Sequence, residues 1–130
     1  MALGRDLGLA VTQQVSVLVN FNDTNVGSTN GILFATLPAG AVVLSAFAKV
    51  ITAFNAATTN VLTVGTNVGT ADNLLNAAAI TEGTPGDYVN NTPGLAIPTA
   101  DAPVYVKYTQ TGTAATTGQA QIIVSYTVPR

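Results

Sequence analysis

The residues of this sequence that could do chemistry are few, and the two most versatile types are missing. The 130-residue chain has no His and no Cys, which removes the commonest general base, the commonest transition-metal ligand, the thiol nucleophile and the disulfide. Any reaction would depend on hydroxyls, four basic residues and six acids. The bases are Arg5, Lys49, Lys107 and Arg130, and the acids are Asp6, Asp23, Asp72, Glu82, Asp87 and Asp101.

The placement of the acids argues against catalysis. Glycosidases and aspartic proteases need two carboxylates at one site, whereas all six acids here fall in the N-terminal segment or in predicted loops, where solvated carboxylates and helix caps are the ordinary roles. The run from Asp23 to Gly27 begins like an EF-hand loop, but Gly27 and Phe34 stand where that loop needs ligands. No glycine-rich phosphate loop or Gly-x-Ser-x-Gly motif occurs. We expect no enzyme activity, and no catalytic, cofactor-binding or metal-binding residues.

The charge balance limits the kinds of partner that the protein could bind. The formal net charge is -2 with 8% charged residues, and the four bases are scattered singly, so the clustered Lys and Arg of a nucleic-acid binder are absent. The longest apolar stretch, from Ala39 to Phe54, is interrupted by polar residues and is too short for a membrane helix. We therefore expect neither a nucleic-acid nor a membrane partner. Lys49 and Lys107 are expected to keep an open sheet face soluble, or alternatively to pair with an acid on a neighbouring subunit.

The positions of these side chains must be set by strands, because the apolar residues repeat with a period of two between Gly, Asn, Thr and Pro turns. Six to eight short strands predict an all-β, two-layer antiparallel β-sandwich, with a jelly roll favoured over an immunoglobulin-like sandwich. Residues 1–14 are expected to form an N-terminal arm and residues 15–130 a single domain. The apolar phase of the strands predicts a core of Val15, Val17, Val19, Leu44, Val50, Leu62, Val64, Val106, Ile122, Val124 and Tyr126.

The sequence also predicts the local structure of several segments. The fourteen-residue strand from Ala41 to Phe54 is expected to bend or bulge near residues 45–48 and to take part in both sheets. One short helix is predicted near residues 70–80, with Thr70 or Asp72 as its cap. The Pro- and Gly-rich stretch 83–102 should be irregular with short edge strands around Tyr88 and residues 95–97. Residues 104–109 and 120–128 read as a hairpin. The stretches 22–30 and 83–102 are expected to be ordered largely by contacts with other subunits.

The chain is similar to the capsid cement, or decoration, proteins of tailed bacteriophages, and most of all to the type in short-tailed phages related to the Bordetella phages. The similarity covers about residues 15 to 127 and lies in the strand and turn pattern. The segments that carry it are Leu37-Pro-Ala-Gly-Ala-Val-Val43 with the long strand to Asn55, Val61-Leu-Thr-Val-Gly65, Asp72-Asn-Leu-Leu75, Val104-Tyr-Val-Lys-Tyr-Thr109 and Gly118-Gln-Ala-Gln-Ile-Ile-Val-Ser-Tyr126.

This resemblance implies a jelly-roll virion protein on the exterior of the capsid, made in the host bacterial cytoplasm. It would grip the major capsid protein across subunit boundaries as a homodimer, and it brings no catalytic residues. The alternative is a fibre or receptor module that binds carbohydrate, since jelly rolls also occur in lectins. In that case Phe47, Tyr88, Tyr105 or Tyr108 could stack on a sugar ring, and an exposed aromatic platform beside loop acids would distinguish the two functions.

Overall fold

The chain folds into strands joined by irregular connections, as its period-two pattern predicts. The computed structural model describes residues 11–91 and 99–128, and within these ranges it contains seven strands and no helix. The predicted edge strand at residues 95–97 lies outside the described residues. The strands are β1 (Gln13–Asn20), β2 (Ile32–Leu37), β3 (Val42–Thr52), β4 (Thr59–Gly65), β5 (Gly86–Asn90), β6 (Ala102–Thr111) and β7 (Gln119–Thr127).

Two antiparallel sheets form the layers of a sandwich. The first contains four strands in the order β1-β7-β3-β5, and the second contains three in the order β2-β6-β4. Odd-numbered strands therefore belong to one sheet and even-numbered strands to the other, so each connection crosses between layers. This alternation confirms the predicted β-sandwich and is the jelly-roll arrangement.

The same alternation overturns two sequence predictions. Strands β6 and β7 do not form a hairpin, because β6 pairs with β2 and β4 while β7 pairs with β1 and β3. The turn residues 112–118 lead the chain across the sandwich instead of back along one sheet. The prediction that the long strand β3 takes part in both sheets is also wrong, since β3 remains in the four-stranded sheet throughout.

Strand β3 contains two irregularities that reset its inward phase. The register with β7 shifts between Val43 and Ser45 and again between Val50 and Thr52. The first shift lies at the edge of the stretch where a bulge was predicted, and it turns Leu44 outward, so that this side chain is 40% exposed. The prediction of Leu44 as a core residue is therefore wrong, because a bulge inserts one residue and exchanges the two faces of the strand.

The core between the sheets is otherwise the predicted one. Val19, Val50, Leu62, Val64, Val106, Ile122, Val124 and Tyr126 are buried, and Val15 and Val17 are partly buried against them. Sequence reasoning missed several members that lie outside the regular strands. These are Leu74, Leu75 and Ile80.

The predicted helix at residues 70–80 is absent, and the segment instead follows the edge of β4. Leu75 forms an isolated antiparallel bridge with Val64, and the backbone N–H groups of Leu74 and Leu75 both donate to the Val64 carbonyl. The Asn73 side chain accepts from the Thr66 N–H at 2.7 Å, a local bond that competes with helix formation. The segment thus occupies the place of an eighth jelly-roll strand beside β4.

The loop between β1 and β2 is ordered by its own chain, contrary to the expectation for residues 22–30. Successive turns bond Asp23 to Asn20, Val26 to Asp23 and Ser28 to Asn25. Val26 is buried, and its carbonyl accepts the Tyr108 N–H at 2.9 Å. The prediction underestimated this loop because one apolar residue and a run of turn hydrogen bonds suffice to anchor it.

Candidate interaction surface

One of the acids departs from the expected solvated role. Glu82 is only 7% exposed, and its Oε2 accepts the Leu62 N–H of β4 at 2.8 Å. Its backbone carbonyl also accepts the Phe54 N–H at 3.0 Å. Glu82 therefore closes the open edge of β4 at a position where the missing eighth strand would have supplied a backbone carbonyl.

Burial sets the electrostatics around this carboxyl. Desolvation raises the pKa of Glu82, with the Leu62 hydrogen bond acting in the opposite direction. The pKa of Tyr108 is also raised, first by burial and then by the charge of Glu82. The Tyr108 hydroxyl donates to Asn60 Oδ1 at 2.6 Å. Within the described residues, no other carboxylate contributes to this shift in the pKa of Glu82.

The two lysines have partners inside the chain. Lys49 Nζ lies 3.2 Å from Asp87 Oδ1 across the β3–β5 pair, and both side chains are more than half exposed. Lys107 Nζ donates to the Thr29 carbonyl at 3.1 Å. Both residues lie on outward faces, as expected. Pairing with an acid on a neighbouring subunit stays a prediction.

The four candidate sugar-stacking aromatics do not form one platform. Tyr108 is buried and stacks at a tilt on Phe54, with ring centroids 4.7 Å apart. Tyr88 packs against the core and donates its hydroxyl to the Thr84 carbonyl. Phe47 and Tyr105 are both half-buried, but they belong to different sheets and lie on opposite outer faces of the sandwich. The aromatic platform beside loop acids is therefore absent from the described residues.

A shallow depression of about 300 Å³ lies at the end of the sandwich near the β1–β2 loop. It holds few free polar groups, because the Gln110 Oε1 on its wall already accepts the Ala115 N–H at 2.7 Å. The lining residues are Phe21, Val26, Gly27, Tyr108, Thr109 and Gln110. This set offers apolar contact and little to orient a small ligand.

The outer face of the four-stranded sheet carries a row of apolar side chains across its strands. Phe47 of β3 pairs with Ile123 of β7 on one side and with Val89 of β5 on the other. These residues alternate with buried core positions such as Ala46, Ala48, Ile122 and Val124, so they point away from the core. We call Ile123, Phe47 and Val89 the apolar row. Ser16 of β1 extends it by pairing with Ile123.

Further exposed apolar residues surround the apolar row. Seven large hydrophobic side chains are exposed in the described part of the chain, and four of them lie on this face. Leu44 and Ile51 lie at the two irregularities of β3, Leu18 lies on β1, and Val89 belongs to the row itself. The neighbouring row, Leu18, Gln121, Lys49 and Asp87, carries one charge of each sign. The face thus combines an apolar row with polar side chains such as Ser16, Gln121 and Ser125, and it is electrically neutral.

The outer face of the three-stranded sheet is partly covered by the chain itself. A Cβ built on Gly65 of β4 would collide with Asn73 Oδ1 and lie 2.6 Å from the Asp72 nitrogen. Residues 71–73 therefore pass directly over this strand. Leu33 of β2 and Tyr105 of β6 pair on the part that remains open.

Other kinds of site are not indicated within residues 11–91 and 99–128. No group of three or more potential metal ligands occurs there. The same residues contain no helix long and apolar enough to span a membrane.

The whole chain is similar in structure to chains of three bacteriophage capsids. A chain of the cyanophage Pam1 capsid asymmetric unit aligns over 99% of this chain and 92% of its own length, with a TM-score of 0.63 and 18% identity. A chain of the acid-stable capsid of Helicobacter pylori bacteriophage KHP30 aligns over 92% and 90%, with a TM-score of 0.62 and 19% identity. A chain of the Ralstonia phage GP4 capsid aligns over 100% and 91%, with a TM-score of 0.63 and 20% identity.

These similarities concern the fold. No protein-family model matches the chain, and no curated protein matches it. Because the alignments cover at least nine tenths of both partners, each capsid chain is a molecule of similar size and not a domain within a much larger one. The chain has the jelly-roll fold of chains found in three phage capsids.

Proposed function

We propose that this protein is a virion structural protein that binds the outside of a bacteriophage head and stabilises it by bridging major capsid subunits. The observation that carries the proposal is the full-length structural similarity to chains of three phage capsids. In this role the protein is a cement, or decoration, protein present as paired copies on the shell. It acts through protein surfaces and is not an enzyme.

The surface of the molecule supports this role. An exposed apolar patch on a soluble protein commonly marks a protein contact, and four exposed aliphatic side chains share the outer face of the four-stranded sheet. The charged residues are few and give little salt-dependent attraction. Such a surface suits a contact that excludes water over a broad, neutral area.

The proposed partners follow from the same features. The major capsid protein and a second copy of this chain are the partners, since both offer protein surface. Nucleic acid is not a partner, because Lys49 is paired with Asp87 and Lys107 is bonded to Thr29, which leaves no basic cluster in the described residues to release counterions. A membrane is not a partner either.

Carbohydrate binding is the second candidate, and the aromatic residues weigh against it. Tyr88 and Tyr108 pack on the core, and Phe47 and Tyr105 face opposite directions. A sugar platform built from several of these rings is therefore absent from the described residues. This candidate is kept as an outcome of the test.

The test compares heads with and without the protein. DNA-filled heads that lack this chain are prepared, and the purified full-length chain is added back to half of them. We expect the supplemented shells to open at a higher temperature, measured by access of a fluorescent dye to the packaged DNA, and to bind the chain at many copies per shell. Because few charges contribute, bound chain should be released by denaturant more readily than by sodium chloride.

Two results would overturn the proposal. One is equal thermal resistance of shells with and without the chain. The other is detection of the chain at only a few copies on a tail, which would favour the receptor-binding alternative.

A further inference from the structure

We infer that the outer face of the four-stranded sheet is a two-fold interface between two copies of this chain, with the apolar row of Ile123, Phe47 and Val89 lying along the axis. The inference deepens the proposed function, which has paired copies on the shell, by naming the surface that pairs them. It uses only residues that the structure describes.

The first argument is the direction of the row. Ile123, Phe47 and Val89 are directly opposite one another on adjacent strands, so the row runs straight across the sheet. A two-fold axis along such a row brings each residue against the same residue of the second copy, which is the defining property of an isologous contact. Another copy of this chain is a partner whose row has the matching spacing by necessity.

The second argument is charge. The outward residues of the four strands include one cation and one anion, Lys49 and Asp87, and these are paired within the chain at 3.2 Å. A two-fold rotation about the apolar row places Lys49 of one copy opposite the position of Ser45 in the other copy. Ser45 pairs with Ser125 on the opposite side of the row from Lys49. No like charges meet across the interface, so association does not incur electrostatic repulsion.

The third argument is area. The four strands have 8, 9, 11 and 5 residues, and a strand spacing of about 4.8 Å with a rise of about 3.4 Å per residue gives a flat area of about 500 Å². Side-chain relief makes the accessible surface larger than the flat area. The face is therefore comparable to the roughly 600 Å² per partner at the lower end of specific protein interfaces. Two sheets packed face to face bury such a surface at about 10 Å separation.

The matched residue pair for a test is Val89 and Leu33. Both are exposed aliphatic residues in strands, at 54% and 55%, but Val89 lies in the apolar row and Leu33 lies on the outer face of the other sheet. Val89→Ser should weaken dimerisation by at least about tenfold, measured by analytical ultracentrifugation of the full chain. Leu33→Ser should leave the dimer unchanged.

A charge test addresses the axis itself. Val89→Lys and Val89→Glu place like charges opposite each other in the respective homodimers, so each variant alone should be monomeric. An equimolar mixture should form a heterodimer, because Lys then faces Glu across the axis. Ser16→Lys and Ser16→Glu, at the exposed end of the same row, provide a second pair that the fold should tolerate if the Val89 variants melt early.

The results separate this inference from the proposed function. A wild-type chain that is monomeric at all concentrations, a dimer disrupted by Leu33→Ser and not by Val89→Ser, or mixtures that remain monomeric would overturn the two-fold interface. If monomers of this kind still stabilise shells, the proposed function stands without the interface. A dimer with the predicted mixing behaviour that leaves shells no more resistant would confirm the interface and overturn the proposed function.

Discussion

The two sheets of this sandwich share one core but differ in what lies on their outer sides. The four-stranded sheet leaves its outer face bare in the described residues and carries the apolar row there. In the three-stranded sheet, residues 71–73 pack over Gly65 at the end of β4, and the β4 edge is closed by Leu75 and Glu82. The chain thus completes one sheet with its own irregular segment and leaves the other available for a partner.

The β4 edge also shows how the three-stranded sheet can end without a full eighth strand in the described residues. A free strand edge presents unpaired N–H and C=O groups that can recruit another chain. On β4 the Val64 N–H donates to the Leu75 carbonyl and the Leu62 N–H donates to Glu82, so two edge donors are satisfied without a full eighth strand. Association through this edge is thereby disfavoured.

The largest expected effect tests whether the irregular segment belongs to the core. Leu74 is fully buried between β4 and the rest of the core cluster, and Leu74→Ala should lower the free energy of unfolding by about 2–5 kcal/mol. Chemical denaturation, monitored by circular dichroism, measures this loss of stability. Val124→Ala, in the central strand β7, is the comparison, with about 1–3 kcal/mol expected. A Leu74 effect much below that of Val124 would show that the segment covers β4 only loosely.

These residues also show what sequence patterns can and cannot predict here. Strand existence and the core residues followed from alternation, because a half-buried strand imposes a period of two. Pairing did not follow, since every connection crosses between the sheets and the pairing partners are distant along the chain. Residues 104–128 therefore looked like a hairpin although β6 and β7 belong to different layers.

The helix prediction failed for a related reason. Residues 70–80 have three consecutive Ala and a possible cap, which favour a helix locally. Tertiary contacts decided otherwise, because Leu74 and Leu75 are both buried against β4 and bonded to Val64. The role of Glu82 was also not predicted. Nothing in a Gly- and Thr-rich loop indicates that the Glu82 carboxylate takes the place of a strand partner. The apolar row was beyond prediction because it requires the register of three strands.

A second, smaller effect compares two glycines and tests the cover over β4. Gly65→Ala would place a methyl group against Asn73 Oδ1 and within 2.7 Å of the backbone of residues 71 and 72, so residues 71–73 would have to move. We expect a loss of about 1–3 kcal/mol in the free energy of unfolding. Gly83→Ala is the matched control, because nothing lies within 4 Å of its added Cβ. Equal effects of the two substitutions would contradict the close passage of this segment.

The smallest and most diagnostic effect concerns Glu82 and pH. Because burial raises the pKa of Glu82 in the folded chain, the folded state holds this proton more tightly than the unfolded state. The resulting stabilisation is fully present below the unfolded pKa of about 4.3 and is lost as the pH rises through the higher folded pKa. Glu82→Gln keeps an acceptor for the Leu62 N–H and removes the charge. Its stability relative to wild type should therefore increase with pH across that interval, by at most about 1.4 kcal/mol per pH unit for one proton.

Glu82→Ala separates the hydrogen bond from the charge. It removes the acceptor of a buried N–H, so it should lower the free energy of unfolding by about 1–3 kcal/mol even at low pH. Urea titrations of the three proteins from pH 4 to 8 measure both effects. If Glu82→Gln showed no pH-dependent difference from wild type, burial would not control the protonation of Glu82. If Glu82→Ala cost nothing at low pH, the Leu62 N–H would have found another acceptor, and Glu82 would not be the group that closes the edge of β4.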